Sequence, residues 1–170
     1  MKAKLLKLTA FFLLTALLFL CSCNAKEVST YAQISAVKEK FSSSLTNVRI
    51  YSSDFTEEDD GHIDPAFIAA LLGDGEEIPD EIKACKEYSF LCASELSICE
   101  AWAVECRTYS SARDVEAIFE CRRECLAKQD FESESDISAV TQAKVQRCGR
   151  RVYFVAAENS AEILRYLTDF

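Results

Sequence analysis

With 28 acidic against 19 basic side chains among 170 residues, the chain carries a formal charge of −9, which excludes the broad basic surface that nucleic acid requires. Two prolines and four glycines leave little flexible linker, and the length suits one domain with its own core. Nine cysteines make the redox compartment the first question.

Lys2, Lys4 and Lys7 precede an uncharged, Leu/Phe-rich run from Leu8 to Leu20, the two parts of an export signal. As a helix this run would cover about 20 Å, against a hydrocarbon core of about 30 Å, so cleavage is expected in preference to permanent spanning. The following Leu20-Cys21-Ser22-Cys23 resembles a bacterial lipobox, in which an aliphatic residue and two small ones precede a lipidated cysteine. Ser22 suits the position before that cysteine better than Leu20 does, which selects Cys23 over Cys21. The plainer alternative is a secretory signal with two incidental cysteines. The expected organisation is a lipoprotein signal peptide over 1–22, a tether over 23–29 and one α+β domain over 30–170. Cleavage removes three lysines and leaves 16 basic against 28 acidic residues, a formal charge of about −12. Anionic headgroups should therefore repel the domain, and membrane attachment falls to the lipid on Cys23.

Thr30 with Gln33 reads as a capping box before Tyr31, Ile34, Val37 and Phe41, whose spacing predicts an amphipathic helix to about Phe41. Val48 to Tyr51 is a short extended piece. The acidic loop from Asp54 to Asp64 invites a calcium reading, but it lacks the alternating acidic ligands and closing carboxylate of a calcium loop, so a solvated loop is expected. Asp64-Pro65 opens a second helix that Gly73 closes.

Between Glu87 and Arg107 the period changes to two, with two runs meeting near Ser94-Glu95-Leu96, which predicts a β-hairpin. With Ala93 opposite Ser97, one face collects Tyr88, Phe90, Cys92, Ile98, Trp102, Val104 and Cys106, and Glu100 is its one charged member. Ser111 with Asp114 caps a third helix, with Val115, Ile118, Phe119, Arg122, Cys125 and Leu126 on one stripe to about Lys128. Asp130 to Asp136 reads as a surface connection. Ala143–Arg147 and Arg150–Ala156 form a second hairpin about Cys148-Gly149. Asn159 and Glu162 cap a last helix with Ile163, Tyr166, Leu167 and Phe170 inward. The expected fold is α+β, a mostly antiparallel four-stranded sheet of two hairpins packed with about four helices in the order ααββαββα.

Arg122 on an apolar stripe suggests an ion pair with Glu100; simple snorkelling to solvent is the alternative. Cys92 and Cys106 read as small hydrophobes in a body packed around mostly reduced thiols. Cys121 and Cys125, one helical turn apart, could give two thiolate ligands to a soft metal, with Cys148 and His62 as further donors. No paired C-x-x-C motif accompanies them, and neither sits at a helix N-terminus, where a thioredoxin-type thiol is activated. His62 is the sole histidine and reads as an exposed loop residue. No nucleophile elbow, phosphate loop, zinc-protease motif or dinucleotide fingerprint occurs.

From about Asp64 onward, the chain resembles a bacterial lipoprotein family known as domain-of-unknown-function family 4358. The resemblance lies in the helix ending Leu71-Leu72-Gly73, in the strand Glu100–Cys106 entering a helix with paired Arg122-Arg123, and in the turn Gly149-Arg150 before Val152 and Val155. It implies the fold and the anchorage and carries no reaction, cofactor or ligand. The members compared are cysteine-poor, unlike this chain. The expected function is that of a lipid-anchored protein of the bacterial cell envelope, a non-enzymatic binding or interaction module whose partner is an envelope protein or ligand. The alternative is a thiol redox or metal-handling protein using Cys121, Cys125 and Cys148.

Overall fold

A computed structural model describes residues 28–63, 65–72, 77–93 and 97–170. The signal peptide over 1–22, Cys23 and most of the tether, the cap at Asp64, the stop at Gly73 and the turn at 94–96 lie outside the described residues. In chain order the elements are α1 (Thr30–Lys40), β1 (Val48–Ser52), α2 (Pro65–Leu72), α3 (Asp80–Lys83), β2 (Glu87–Ala93), β3 (Glu100–Glu105), α4 (Tyr109–Leu126), α5 (Glu134–Thr141), β4 (Lys144–Cys148), β5 (Arg151–Ala156) and α6 (Ser160–Thr168). The fold is α+β, with a five-stranded antiparallel sheet in the order β1-β2-β3-β5-β4.

Both faces of this sheet are covered. Phe90, Cys92, Trp102, Val104, Val152 and Phe154 point to one side, where Ile68 of α2, Ile82 of α3 and Val115, Phe119 and Leu126 of α4 close over them. Trp102 is the centre of that layer, with its ring 5.1 Å from Phe90, 5.3 Å from Phe119 and 4.9 Å from Phe154. Leu91, Ala101, Ala103, Tyr153 and Val155 point to the other side, against Ile34 and Val37 of α1 and Ile163 and Leu167 of α6. Every residue of β3 is consequently buried, as expected of a strand between two helical layers. Hydroxyls stitch α1 to the sheet, Thr30 Oγ1 lying 3.0 Å from Ser89 Oγ and Ser89 Oγ 2.9 Å from Ser52 Oγ.

The structure corrects the expected fold in several places. The short extended piece is a full edge strand paired with β2, giving five strands instead of four. Two further helices, α3 and α5, bring the described helices to six. The acidic segment read as a connection contains the start of α5, because Glu134 and Asp136 in a first turn favour the positive end of a helix dipole. The first hairpin is shifted by two residues: Cys92 faces Glu100, and Phe90 faces Trp102. Because side chains repeat every two residues, this shift preserves the faces. It pairs the two aromatic rings and carries the charge of Glu100 to the end of the sheet. Ser29, not Thr30, caps α1, and Thr108 with Ser111 forms the capping box of α4. Phe170 is exposed, and Leu164 takes an inward position on α6. In the second hairpin, Gly149 adopts a left-handed φ of 64° at the turn.

Candidate functional site

At the Glu100 end of the sheet a cavity of about 380 Å³ opens between β2, β3, α2, α4 and α5. Phe67, Leu71, Ile98 and Phe131 supply apolar wall, and Glu100, Arg122 and Asp136 supply charge. All three charged residues are buried. Their positions follow from local structure. Arg122 lies on the inward stripe of α4 with Val115, Phe119 and Leu126, and Glu100 opens β3 on the same side of the sheet as Cys92 and Trp102. Arg122 Nη2 donates to Glu100 Oε1 at 2.5 Å, and Arg122 Nε donates to Oε2 at 3.4 Å. Asp136 Oδ1 accepts from the Ile98 amide at 2.7 Å, which ties α5 to the approach to β3.

Burial pushes the Glu100 carboxyl above its ordinary range, and the Arg122 charge and hydrogen bonds draw it part of the way back. Burial likewise pushes the Cys92 thiol well up, with the Glu100 charge adding to the effect. A guanidinium has five N–H donors, so Arg122 can hold Glu100 and still offer donors to a carbonyl or carboxylate oxygen of a bound molecule. An apolar wall with a few fixed polar groups is the usual composition of a small-molecule or peptide-side-chain pocket.

The thiols divide differently. Cys121 is exposed on α4 and lines a second groove of about 460 Å³ with Ala69, Leu72, Pro79 and Ile118. Cys125 is half-buried, one turn further along. Cys148 is opposite Arg151, in the alternation that places Gln146 opposite Tyr153, and so lies on the α1 and α6 face of the sheet. Arg147, its neighbour, points to the other face and pairs with Glu116 of α4 at 2.7 Å. The structure thus does not bring Cys148 to Cys121 and Cys125. The His62 ring Nδ1 lies 3.2 Å from the Phe55 carbonyl. In the acidic loop, Asp59 accepts from the Thr56 amide and hydroxyl at 2.8 and 2.9 Å, and Asp60 pairs with Arg49 at 3.2 Å. Among the described residues no group of three or more His, Cys, Asp or Glu is placed to hold a metal ion.

Two features escaped sequence reasoning. Glu105, 1% exposed, sits on the opposite face from Glu100 and is held by Arg151 at 2.8 Å, Lys86 at 3.0 Å and Arg150 at 3.6 Å. Its signal was the pair Arg150-Arg151 directly after Cys148-Gly149. The other is Cys85, whose Sγ lies 3.5 Å from Cys106 Sγ. Fold and cavity together define an antiparallel sheet between two helical layers with a charged, half-apolar pocket at one end. The chain matches no protein-family model, no curated protein and no solved structure in comparisons with known proteins.

Proposed function

We propose that this is a lipid-anchored protein of the bacterial cell envelope, held at the membrane through Cys23, and that it acts as a non-enzymatic binding module. The resemblance to domain-of-unknown-function family 4358 belongs to this reading, as does the export segment. The observation that carries the binding role is the desolvated Arg122–Glu100 pair in the wall of an otherwise largely apolar cavity. Such a pair is costly to bury, and the cavity beside it offers room for a molecule combining an apolar body with an acceptor oxygen. No helix among the described residues is long and apolar enough to cross a membrane; attachment in this reading is by the lipid on Cys23.

Two experiments test it. A lipoprotein signal-peptidase inhibitor should leave an unprocessed precursor in cells, and Cys23→Ser should lose incorporation of a fatty-acid label; processing and labelling unchanged by both would defeat the anchorage. A photoreactive benzophenone side chain replacing Phe131 should give a discrete crosslinked adduct in intact cells, weakened by Arg122→Met. The same adduct from exposed Tyr109, or none from position 131, would defeat the pocket.

A further inference from the structure

Cys85 and Cys106 come from separate elements and meet inside the core. Cys85 ends the turn after α3, where its amide donates to the Ile82 carbonyl at 3.0 Å. Cys106 follows β3 directly, its own amide donating to the Arg150 carbonyl at 2.9 Å. Their sulfurs are 3.5 Å apart, with Cys85 Sγ also 3.1 Å from the Glu81 carbonyl. Cys85 is 5% exposed and Cys106 fully buried. Packing against Ile82 and Val104 in the same cluster leaves the two side chains facing each other. Closing the contact to a bond length of about 2.05 Å asks for a sulfur displacement of about 1.5 Å, within the reach of side-chain rotation and a small shift of a four-residue helix.

We propose that Cys85 and Cys106 are joined by a disulfide in the exported protein. The proposal rests on the export reading above, since such a bond persists in an oxidising compartment and not in a reducing cytosol. It departs from the reading of Cys106 as a small hydrophobe and is compatible with a body in which most of the described cysteines stay reduced. The oxidant is a dithiol–disulfide exchange donor in its oxidised form. The Cys106 thiolate attacks one donor sulfur, breaking the donor disulfide and releasing a donor thiolate while a mixed disulfide forms on Cys106. Cys85 then loses its proton to solvent, and its thiolate attacks Cys106 Sγ and expels the second donor thiolate. Two electrons pass to the donor, which leaves as a dithiol. The two thiols can exchange these roles without changing the balance of the step. Both sulfurs are buried in the finished fold, so the exchange belongs to folding, before α3 closes over Cys106.

The remaining thiols have other surroundings. Cys92 faces the α4 side of the sheet, while Cys99 packs against the α1 and α6 layer, so no bond joins those two. The pairing leaves five of the seven described cysteines outside this bond, three of them, Cys121, Cys125 and Cys148, on or near the surface.

The test is a disulfide map of the full-length protein, extracted from membranes in detergent, unfolded with reductant and refolded in oxidised and reduced glutathione, quenched with acid and alkylated before digestion. The expected result is a Cys85 peptide linked to the Cys106 peptide, two hydrogens lighter than the pair of free peptides, with Cys92 alkylated once the protein is denatured. Recovery of Cys85 and Cys106 as alkylated thiols, or linked indiscriminately to other cysteines, overturns the pairing. The same map on acid-quenched cells separates the two readings. A bond formed in buffer but absent from cells overturns the export reading and leaves the pairing standing.

Discussion

Arg122 on α4 and Glu100 at the start of β3 form a two-point ion pair, through Nη2 and Nε, at the buried end of a helix–sheet interface. Their side chains are 10% and 5% exposed, so neither charge has much water to return to when the other is removed. Arg122→Met or Glu100→Leu alone should destabilise the domain by about 3–5 kcal/mol, because each leaves a buried charged group without its hydrogen-bonding partner. The double variant should cost less than the sum, with a coupling of about 1–3 kcal/mol in a double-mutant cycle read by urea unfolding. Additive losses would show that the two charges stabilise the fold independently.

The same carboxyl sets a pH dependence. Its folded value is raised by burial beyond what Arg122 restores, so the folded state holds the proton more tightly than the unfolded chain does. The stabilising contribution is full below the unfolded value of about 4.3 and is lost as pH rises through the raised folded value. Relative to Glu100→Gln, which cannot titrate, wild type should lose stability over that interval. Parallel stability curves for the two proteins would contradict it.

Gly61 has φ of 121°, and a Cβ there would come within 2.6 Å of the Ile50 carbonyl oxygen and 2.9 Å of the Phe55 ring. The Gly61 carbonyl also accepts from the Ser52 amide at 3.2 Å, docking the acidic loop on the edge strand β1. Gly61→Ala should therefore cost about 1–3 kcal/mol in strain, visible as a lower urea midpoint, whereas Glu57→Ala on the exposed part of the loop should move it little.

A Cys85–Cys106 bond would restrict the unfolded chain over a ring running from residue 85 to residue 106. Reduction should then lower stability by about 3 kcal/mol, measured as the difference in unfolding free energy with and without reductant. A variant with serine at both positions should be indifferent to reductant; equal sensitivity in that variant would assign the effect to another cysteine pair.

Alternation along the hairpins revealed which side chains share a face, and that survived a two-residue error in register because the period is two. It could not reveal that both faces are buried. Ala101 and Ala103 alternate with Trp102 and Val104 and so fall outside the large apolar set, yet they are the floor on which α1 and α6 pack. Reading the sheet as one-sided concealed Glu105, which is buried on the second face. Arg122 and Glu100 were legible as charges in apolar surroundings, each an exception to its own periodic pattern. The walls of their cavity were not, since Phe67, Phe131 and Asp136 come from α2, the approach to α5 and α5 itself, joined only by tertiary packing. Cys85 was equally hidden: α3 has four residues, too few for any periodicity, and its turn carries the thiol to Cys106.

Arg151 grips Glu105 and also donates to the Val28 carbonyl at 2.8 Å, while the Thr30 amide donates to Glu87 at 3.0 Å. The chain therefore enters the domain at the Glu87–Glu105 end of the central hairpin. Glu100 marks the opposite end of β3, about 17 Å away at the usual strand rise. Four residues lie between Cys23 and Val28, a leash of five Cα steps and at most about 18 Å whatever its conformation. With Cys23 lipidated as proposed, so short a leash keeps the Glu87–Glu105 end of the sheet near the bilayer and leaves the Glu100 end, which lines the Arg122 cavity, the farther of the two. A fluorophore at position 97 should be quenched by an aqueous reagent and spared by a lipid-borne one, with the opposite result at position 86.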